Sequence, residues 1–176
     1  MPADEPWRSS KLNWAEMGER HRLVFEIHEE GKLTFEDYLS LVIFCEKRPF
    51  TRAHFRRFVC GQSKPPEDMI GLVAQLKTRH DLKIVVVSNK SLELNAYSIR
   101  TFELDGFVDS FISSCFVHLR KPDANIFRTA HQVLYIENTP MFVQIAEGLG
   151  IRSIRRTECK STRAQPASLG PEGDCK

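Results

Sequence analysis

A short apolar run that ends in two polar residues constrains the fold of this chain most. Residues 83–89 read KIVVVSN, so three consecutive valines are followed by Ser88 and Asn89. A run of this length and composition is typical of a strand that is buried on both faces of a parallel sheet. Open α/β sheets bind ligands at the carboxyl ends of their strands. The sequence therefore predicts an α/β protein with a polar site at Ser88 and Asn89.

Composition narrows the class of protein. The 176 residues are 41% hydrophobic, which is enough for a packed core, and they carry a formal net charge of only +2. This small charge does not favour binding to nucleic acid or to a membrane, and no apolar run approaches the ~20 residues that span a bilayer. The five cysteines contain no CxxC pair, which favours reduced structural thiols. We expect a cytoplasmic protein.

The hydrophobic pattern divides the chain into four parts. Residues 1–13 read as a polar leader, 14–62 as a small all-helical unit, 63–157 as an α/β core and 158–176 as a disordered tail. Helices are predicted near 14–30, 35–46, 52–60, 67–79, 91–102, 122–131 and 140–149, and strands near 83–87, 111–114, 133–136 and 151–154. Strands that alternate with helices on this spacing predict parallel crossovers and a doubly wound sheet. A strand at residues 23–27 remains the alternative within the first helix, because the apolar residues alternate there.

Polar residues also follow two later predicted elements. Lys121 lies in the loop before the helix at 122, and Glu137 and Asn138 follow the strand at 133–136. Because parallel strands share one carboxyl edge, we expect these residues to converge on one crevice with Ser88 and Asn89. A hydroxyl group, backbone N–H groups and a lysine suit a phosphate. A carboxylate beside an amide suits magnesium.

Three segments together resemble the haloacid dehalogenase-like (HAD) superfamily of hydrolases. They are KIVVVSN, SSCFVHLRKPDANIF and YIENTPMFVQIAEGLGI, and the resemblance covers about residues 14–164. It is to members with a small helical cap after the first strand, which residues 15–60 match. The resemblance implies a HAD-like Rossmannoid parallel sheet and magnesium-dependent hydrolysis of a small phosphorylated metabolite, with dehalogenase chemistry as the alternative. No nucleic acid or membrane partner is expected.

The resemblance assigns a role to each of the polar residues. Ser88 is expected to bind the transferring phosphoryl group, and Asn89 to add a backbone contact. Lys121 is expected to neutralise charge on the nucleophile and on the phosphoryl oxygens. Glu137 is expected to bind Mg²⁺ beside Asn138, which replaces the family's second acid and weakens the metal site. In the cap, the basic residues that we expect to contact an anionic substrate are Arg52, Arg56 and Arg57.

The nucleophile of the family has no counterpart in these residues. The family places a DxD aspartate pair at the end of an apolar strand before the cap, and nothing upstream of Trp14 fits that pattern. The nearest similar segment offers Glu26 and His28 instead, within the predicted cap. We therefore expect a hydrolase that is impaired or inactive as this polypeptide. The alternatives are a non-catalytic relic, a phosphate-binding or interaction scaffold, and a fragment of a longer hydrolase.

The missing strand also affects the predicted sheet. In the family it lies between the strand that ends at Ser88 and the strand that ends at Glu137. Its absence leaves three arrangements open: the two neighbours pair directly, the leader or a partner fills the gap, or the chain is a truncated piece of a longer protein. Filling of the gap by a second copy is the physical motive for a homodimer.

Overall fold

The computed structural model describes residues 13–65, 67–128 and 133–157, so nearly all of the predicted leader and the predicted tail lie outside the described residues. The helices are α1 (Trp14–Glu29), α2 (Phe35–Val42), α3 (Arg52–Gln62), α4 (Glu67–His80), α5 (Leu92–Thr101), α6 (Ser114–Val117), α7 (Ala124–Arg128) and α8 (Pro140–Gly148). The strands are β1 (Val85–Ser88), β2 (Ser110–Ser113), β3 (Leu134–Glu137) and β4 (Arg152–Arg155). Every helix in these ranges is too short or too polar to traverse a membrane.

The first three helices begin at side chains that cap them. Asn13, Thr34 and Thr51 each accept a hydrogen bond from the backbone N–H three residues later, at 3.1–3.2 Å. Such caps satisfy one of the N–H groups that a helix leaves without a partner at its start. Residues 23–27 lie inside α1, so the helix and not the alternative strand forms there. Helix α2 ends at Val42, four residues earlier than the sequence pattern predicts.

The strands form two separate parallel pairs. Strand β1 pairs with β2, which places Ser88 opposite Ser113, and β3 pairs with β4. Helix α5 lies between β1 and β2 in the chain, and α8 lies between β3 and β4, so each pair is a βαβ unit. The parallel α/β architecture is thus confirmed.

The described residues belong to two compact units. The first unit holds residues 13–64 and 85–120, and the second holds 65, 67–84, 121–128 and 133–157. The core of the first unit consists of buried residues of α2, α3 and the segment between them: Phe35, Leu39, Val42, Ile43, Phe50 and Phe55. In the second unit, α7, α8 and β4 contribute Ile126, Phe127, Val143, Ala146 and Ile154.

Candidate active site

Ser88 lies at the carboxyl end of β1, in the first unit, and takes part in a chain of hydrogen bonds. Its hydroxyl donates to Ser113 Oγ at 3.2 Å, and the Ser113 hydroxyl donates to Asn95 Oδ1 at 3.1 Å. Ser113 is fully buried and Asn95 nearly so. The Ser88 proton therefore points to Ser113, while the Ser88 oxygen keeps lone pairs that can accept from a ligand.

The loop after β1 is anchored by backbone and side-chain contacts within the same unit. The Lys90 N–H donates to Ser114 Oγ at 2.9 Å, and the Ser114 hydroxyl donates to the carbonyl oxygen of Glu29 at 2.6 Å. Ser114 is fully buried, so this contact holds the loop against the start of α6 and the end of α1. Asn89, between Ser88 and Lys90, is half-buried. Its contact with a phosphate stays a prediction.

Lys121 and Glu137 lie together in the second unit and form an ion pair. Lys121 Nζ is 2.7 Å from Glu137 Oε2, and only 9% and 11% of the two side chains are exposed. The Tyr135 hydroxyl donates to the same Oε2 at 2.9 Å. The other carboxylate oxygen, Oε1, accepts from the N–H groups of Asn138 and Thr139 at 2.9 and 3.0 Å. Each oxygen of Glu137 thus has two donors.

The protonation behaviour of the pair follows from these contacts. Burial by itself would raise the pKa of Glu137, but hydrogen bonds from Lys121, the Thr139 N–H and Tyr135 outweigh burial and hold this pKa below its usual value. Burial, the Glu137 charge and their hydrogen bond raise the pKa of Tyr135, so its hydroxyl stays a proton donor. The Lys121 ammonium also lies 4.8 Å from the centre of the Phe142 ring. Lys121 and Glu137 therefore neutralise each other's charge.

A magnesium ion does not fit this arrangement. Mg²⁺ needs carboxylate lone pairs at ~2.0–2.1 Å, but the lone pairs of Glu137 are occupied by four donors, one of them a cation. Asn138, the second expected ligand, is exposed. Within residues 13–65, 67–128 and 133–157 no cluster of three or more His, Cys, Asp or Glu residues can hold a metal. Glu137 would have to release Lys121 before it could bind a cation.

The segment that resembles the DxD motif lies on a helix. Glu26 is in α1 and binds Arg120 at 2.6 Å, while His28 Nδ1 lies 3.0 Å from the carbonyl oxygen of Leu33. A nucleophile in this fold is expected at the end of a strand, so neither side chain takes that place. The helix predicted near residues 14–30 is thus present, and its assignment to a cap stays a prediction.

Sequence reasoning missed two side chains that orient the predicted ones. Tyr135 lies two residues before Glu137 on β3, so both side chains point to the same face of the strand. That spacing was a signal that could have been used. Ser113, the partner of Ser88, has no such signal, because the register between β1 and β2 decides which residues are opposite each other.

Comparison with known proteins gives a result at the level of fold. No protein-family model matches this sequence, and no curated protein matches it significantly. Solved structures do match. The chain is similar to a HAD-family enzyme of Bacteroides thetaiotaomicron, crystallised as the wild type in complex with magnesium and inorganic phosphate, with 15% identity, a TM-score of 0.70 and coverage of 84% of this chain and 82% of that one.

Two further matches agree with the first. An aspartate-to-alanine mutant of the same enzyme, also in complex with magnesium and inorganic phosphate, is 14% identical with a TM-score of 0.66 over 84% of this chain and 88% of that one. A predicted HAD-like family hydrolase of Porphyromonas gingivalis is 17% identical with a TM-score of 0.66 over 92% of each chain. At sequence identities this low, structural similarity establishes the fold alone. This chain has the fold of the HAD-family hydrolases.

Proposed function

We propose that this chain is a HAD-like hydrolase domain that, as this polypeptide, binds a small phosphorylated metabolite weakly and does not turn it over. The observation that carries the proposal is the ion pair of Lys121 and Glu137, at 2.7 Å. The charge of the lysine expected to neutralise phosphoryl oxygens is already balanced by Glu137. The carboxylate expected to hold magnesium already has four donors.

The proposal follows from what phosphoryl transfer requires. The protein contributes mainly positioning and electrostatic stabilisation of the charge on the transferring group. Ser88 and the backbone after β1 still offer an oxyanion contact, with the Ser88 oxygen oriented by Ser113. Glu26, whose segment resembles the one that carries an attacking carboxylate in the family, lies on α1 and is held by Arg120. Binding without turnover is the activity that this set of residues supports.

A magnesium-dependent phosphohydrolase is the second candidate. It is favoured by the similar solved structures that contain magnesium and inorganic phosphate. Glu137 and Asn138 would hold the ion, which when bound would supply positive charge next to the phosphoryl group. The chain's own residues would have to rearrange for this, because Glu137 would exchange Lys121 for the metal.

A single substitution, Glu137→Gln, separates the two candidates. The wild-type chain is assayed with Mg²⁺ and a generic phosphate ester for phosphate release, and with inorganic phosphate for binding by calorimetry. Under the proposal neither protein shows turnover, and Glu137→Gln binds phosphate more tightly, by about tenfold, because Lys121 regains an unbalanced charge that can form a charge-assisted hydrogen bond. Under the second candidate the wild type turns over and Glu137→Gln does not.

A matched control is available on the next helix. Glu147 is an exposed glutamate of α8, so Glu147→Gln makes the same change in net charge away from the ion pair. It is expected to leave phosphate affinity unchanged, and circular dichroism shows whether each variant is folded. Magnesium-dependent phosphate release by the wild type, lost in Glu137→Gln and kept in Glu147→Gln, would overturn the proposal.

A further inference from the structure

The first unit contains a cleft between helices that is separate from the ends of strands β1 and β2. It has a volume of about 280 Å³ and is formed by side chains of α2, α3 and α5. The residues that matter here are Phe35, Arg56, Glu93, Ala96, Tyr97 and Arg100. Ser88, Lys121 and Glu137 do not line the cleft, whereas Arg56, which was expected to contact an anionic substrate, does.

One wall of the cleft is formed by side chains on a single face of α5. Glu93, Ala96, Tyr97 and Arg100 are spaced by three and four residues, so they share one face of the helix. Ser91, Asn95 and Ser98 on the same helix are buried. One face of α5 therefore packs into the unit, while the other supplies two charged side chains, a small side chain and an aromatic ring to the cleft.

Two of the charged groups in the cleft already have partners. Arg56 forms an ion pair with Glu36 and lies 5.4 Å from the centre of the Phe35 ring. Glu93 Oε1 accepts a hydrogen bond from the Phe35 N–H at 3.1 Å, at the start of α2. Both groups are thus engaged in holding the helices together. They are not the groups from which we expect ligand binding.

Arg100 and Tyr97 differ in this respect. Among the described residues the Arg100 guanidinium has no hydrogen-bond or ion-pair partner, and the Tyr97 hydroxyl has none either. Tyr97 makes only an edge-on ring contact with Phe102. A guanidinium presents N–H donors in a planar fork that matches a carboxylate or a phosphate. The cleft therefore offers one unused cation and one unused hydroxyl group.

A second cation of the first unit, Lys90, contacts the buried face of α5. Lys90 is half-buried, and its Nζ donates to the Ser98 hydroxyl at 2.5 Å. Burial lowers the pKa of Lys90. No carboxylate pairs with this ammonium within the described ranges. Lys90 does not line the cleft, so it is not one of the groups that would hold a ligand there.

We propose that this cleft binds a small ligand in which an oxyanion is attached to an aromatic group. The oxyanion, a carboxylate or a phosphate, is held by Arg100 and the Tyr97 hydroxyl. The aromatic group packs on Ala96 and the Tyr97 ring. A volume of about 280 Å³ is close to the lower end, ~300 Å³, of ligand pockets in proteins, so the ligand has about the size of a single substituted ring.

Backbone-amide NMR of the full chain tests the proposal with defined probes. Benzoate and phenyl phosphate are titrated against benzyl alcohol, which has the ring without the charge, and inorganic phosphate, which has the charge without the ring. We expect saturable shifts at Ala96, Tyr97 and Arg100 with the two charged aromatic probes, and much weaker ones with the other two. Arg100→Gln is expected to raise the dissociation constant about tenfold, and Tyr97→Phe about threefold.

Two controls make the test specific. Arg22, like Arg100, is exposed, and it lies on α1 without lining the cleft. Arg22→Gln is therefore expected to leave the dissociation constant unchanged, and so is Ser88→Ala. The proposal is overturned if no saturable shifts occur at α5, if Arg22→Gln weakens binding as much as Arg100→Gln, or if Ser88→Ala abolishes the shifts. None of these results depends on whether the chain hydrolyses phosphate esters.

Discussion

Replacing Lys121 by methionine removes one charge from a largely buried ion pair and keeps most of the side-chain volume. The two side chains are 9% and 11% exposed, so Glu137 would remain desolvated without its cation. Breaking a buried pair by removing one partner costs about 3–5 kcal/mol. Glu137 keeps three donors, the Tyr135 hydroxyl and two backbone N–H groups, which places the expected loss at the lower end, about 3 kcal/mol at pH 7.

The pH dependence of this loss has a defined sign. In the wild type the folded-state pKa of Glu137 is lowered, so its contribution to stability is present above the unfolded value of about 4.3 and is lost as the pH falls through the folded value. In Lys121→Met the effect of burial is no longer offset by the ammonium, so the pKa of Glu137 rises. Protonated Glu137 needs no cation. The difference between the two proteins is therefore largest near pH 7 and shrinks towards pH 4.

Urea denaturation followed by circular dichroism measures this difference. Wild type, Lys121→Met, Glu137→Gln and the double variant are compared at pH 7 and pH 5, which forms a double-mutant cycle. We expect a coupling free energy above about 1.5 kcal/mol at pH 7. If Lys121→Met stays within about 0.5 kcal/mol of the wild type at pH 7, or if the two single effects simply add, the pair does not stabilise the second unit in the way described here.

Two further substitutions, Gly31→Ala and Arg120→Ala, test the first unit, and Gly71→Ala in the second unit serves as a comparison. Gly31 has φ of +71°, and a Cβ there would meet the Cys115 carbonyl oxygen at 2.5 Å, so Gly31→Ala is expected to lower the free energy of unfolding by at least ~2 kcal/mol. Gly71 in α4 has open space around it, so Gly71→Ala should raise the free energy of unfolding by ~0.5–1 kcal/mol. Equal effects of the two substitutions in urea titrations would refute this expectation. Arg120→Ala leaves the buried Glu29 without its cation, and burial already raises the pKa of Glu29. The variant should therefore lose stability as the pH rises from about 5 to 7. A flat profile of stability against pH would contradict this.

Much of the local structure could be predicted from the sequence. The run KIVVVSN predicts a strand at 83–87 and a strand is present at Val85–Ser88, because a short apolar run bounded by polar residues can be recognised without knowledge of its neighbours. The N-cap role of Thr34 could be predicted for the same reason, since the capped N–H lies three residues along the chain.

The partners of the site residues could not be predicted in the same way. Lys121 and Glu137 were each expected at the site, but as ligands of a phosphate and of magnesium. That they bind each other depends on the distance between a loop and a strand end, which the tertiary structure sets. Opposite charges desolvated together attract more strongly than they do in water. The predicted convergence of Ser88 on Lys121 stays a prediction.

The pairing of the strands could also be predicted only in part from the sequence. Each βαβ unit, β1–α5–β2 and β3–α8–β4, follows from alternation over fewer than thirty residues. A ladder across the middle of a single doubly wound sheet depends on contacts between distant segments. The two ladders that the described residues form, β1–β2 and β3–β4, each lie within one unit. Local periodicity carries no information about that longer-range step.

The first unit is built from two separate segments of the chain, which affects how it folds during synthesis on the ribosome. The unit takes residues from both sides of the 65–84 segment and ends at Arg120, whose guanidinium is the partner of Glu29. At ~5–20 residues per second, translation from residue 64 to residue 120 takes roughly 3–11 s. Until Arg120 is made, the nascent helices α1–α3 lack the cation for Glu29, and α5 and the β1–β2 pair are added only in the course of that interval. Completion of this unit must therefore wait for a segment that the ribosome makes late, whatever the intrinsic folding rate of the helices.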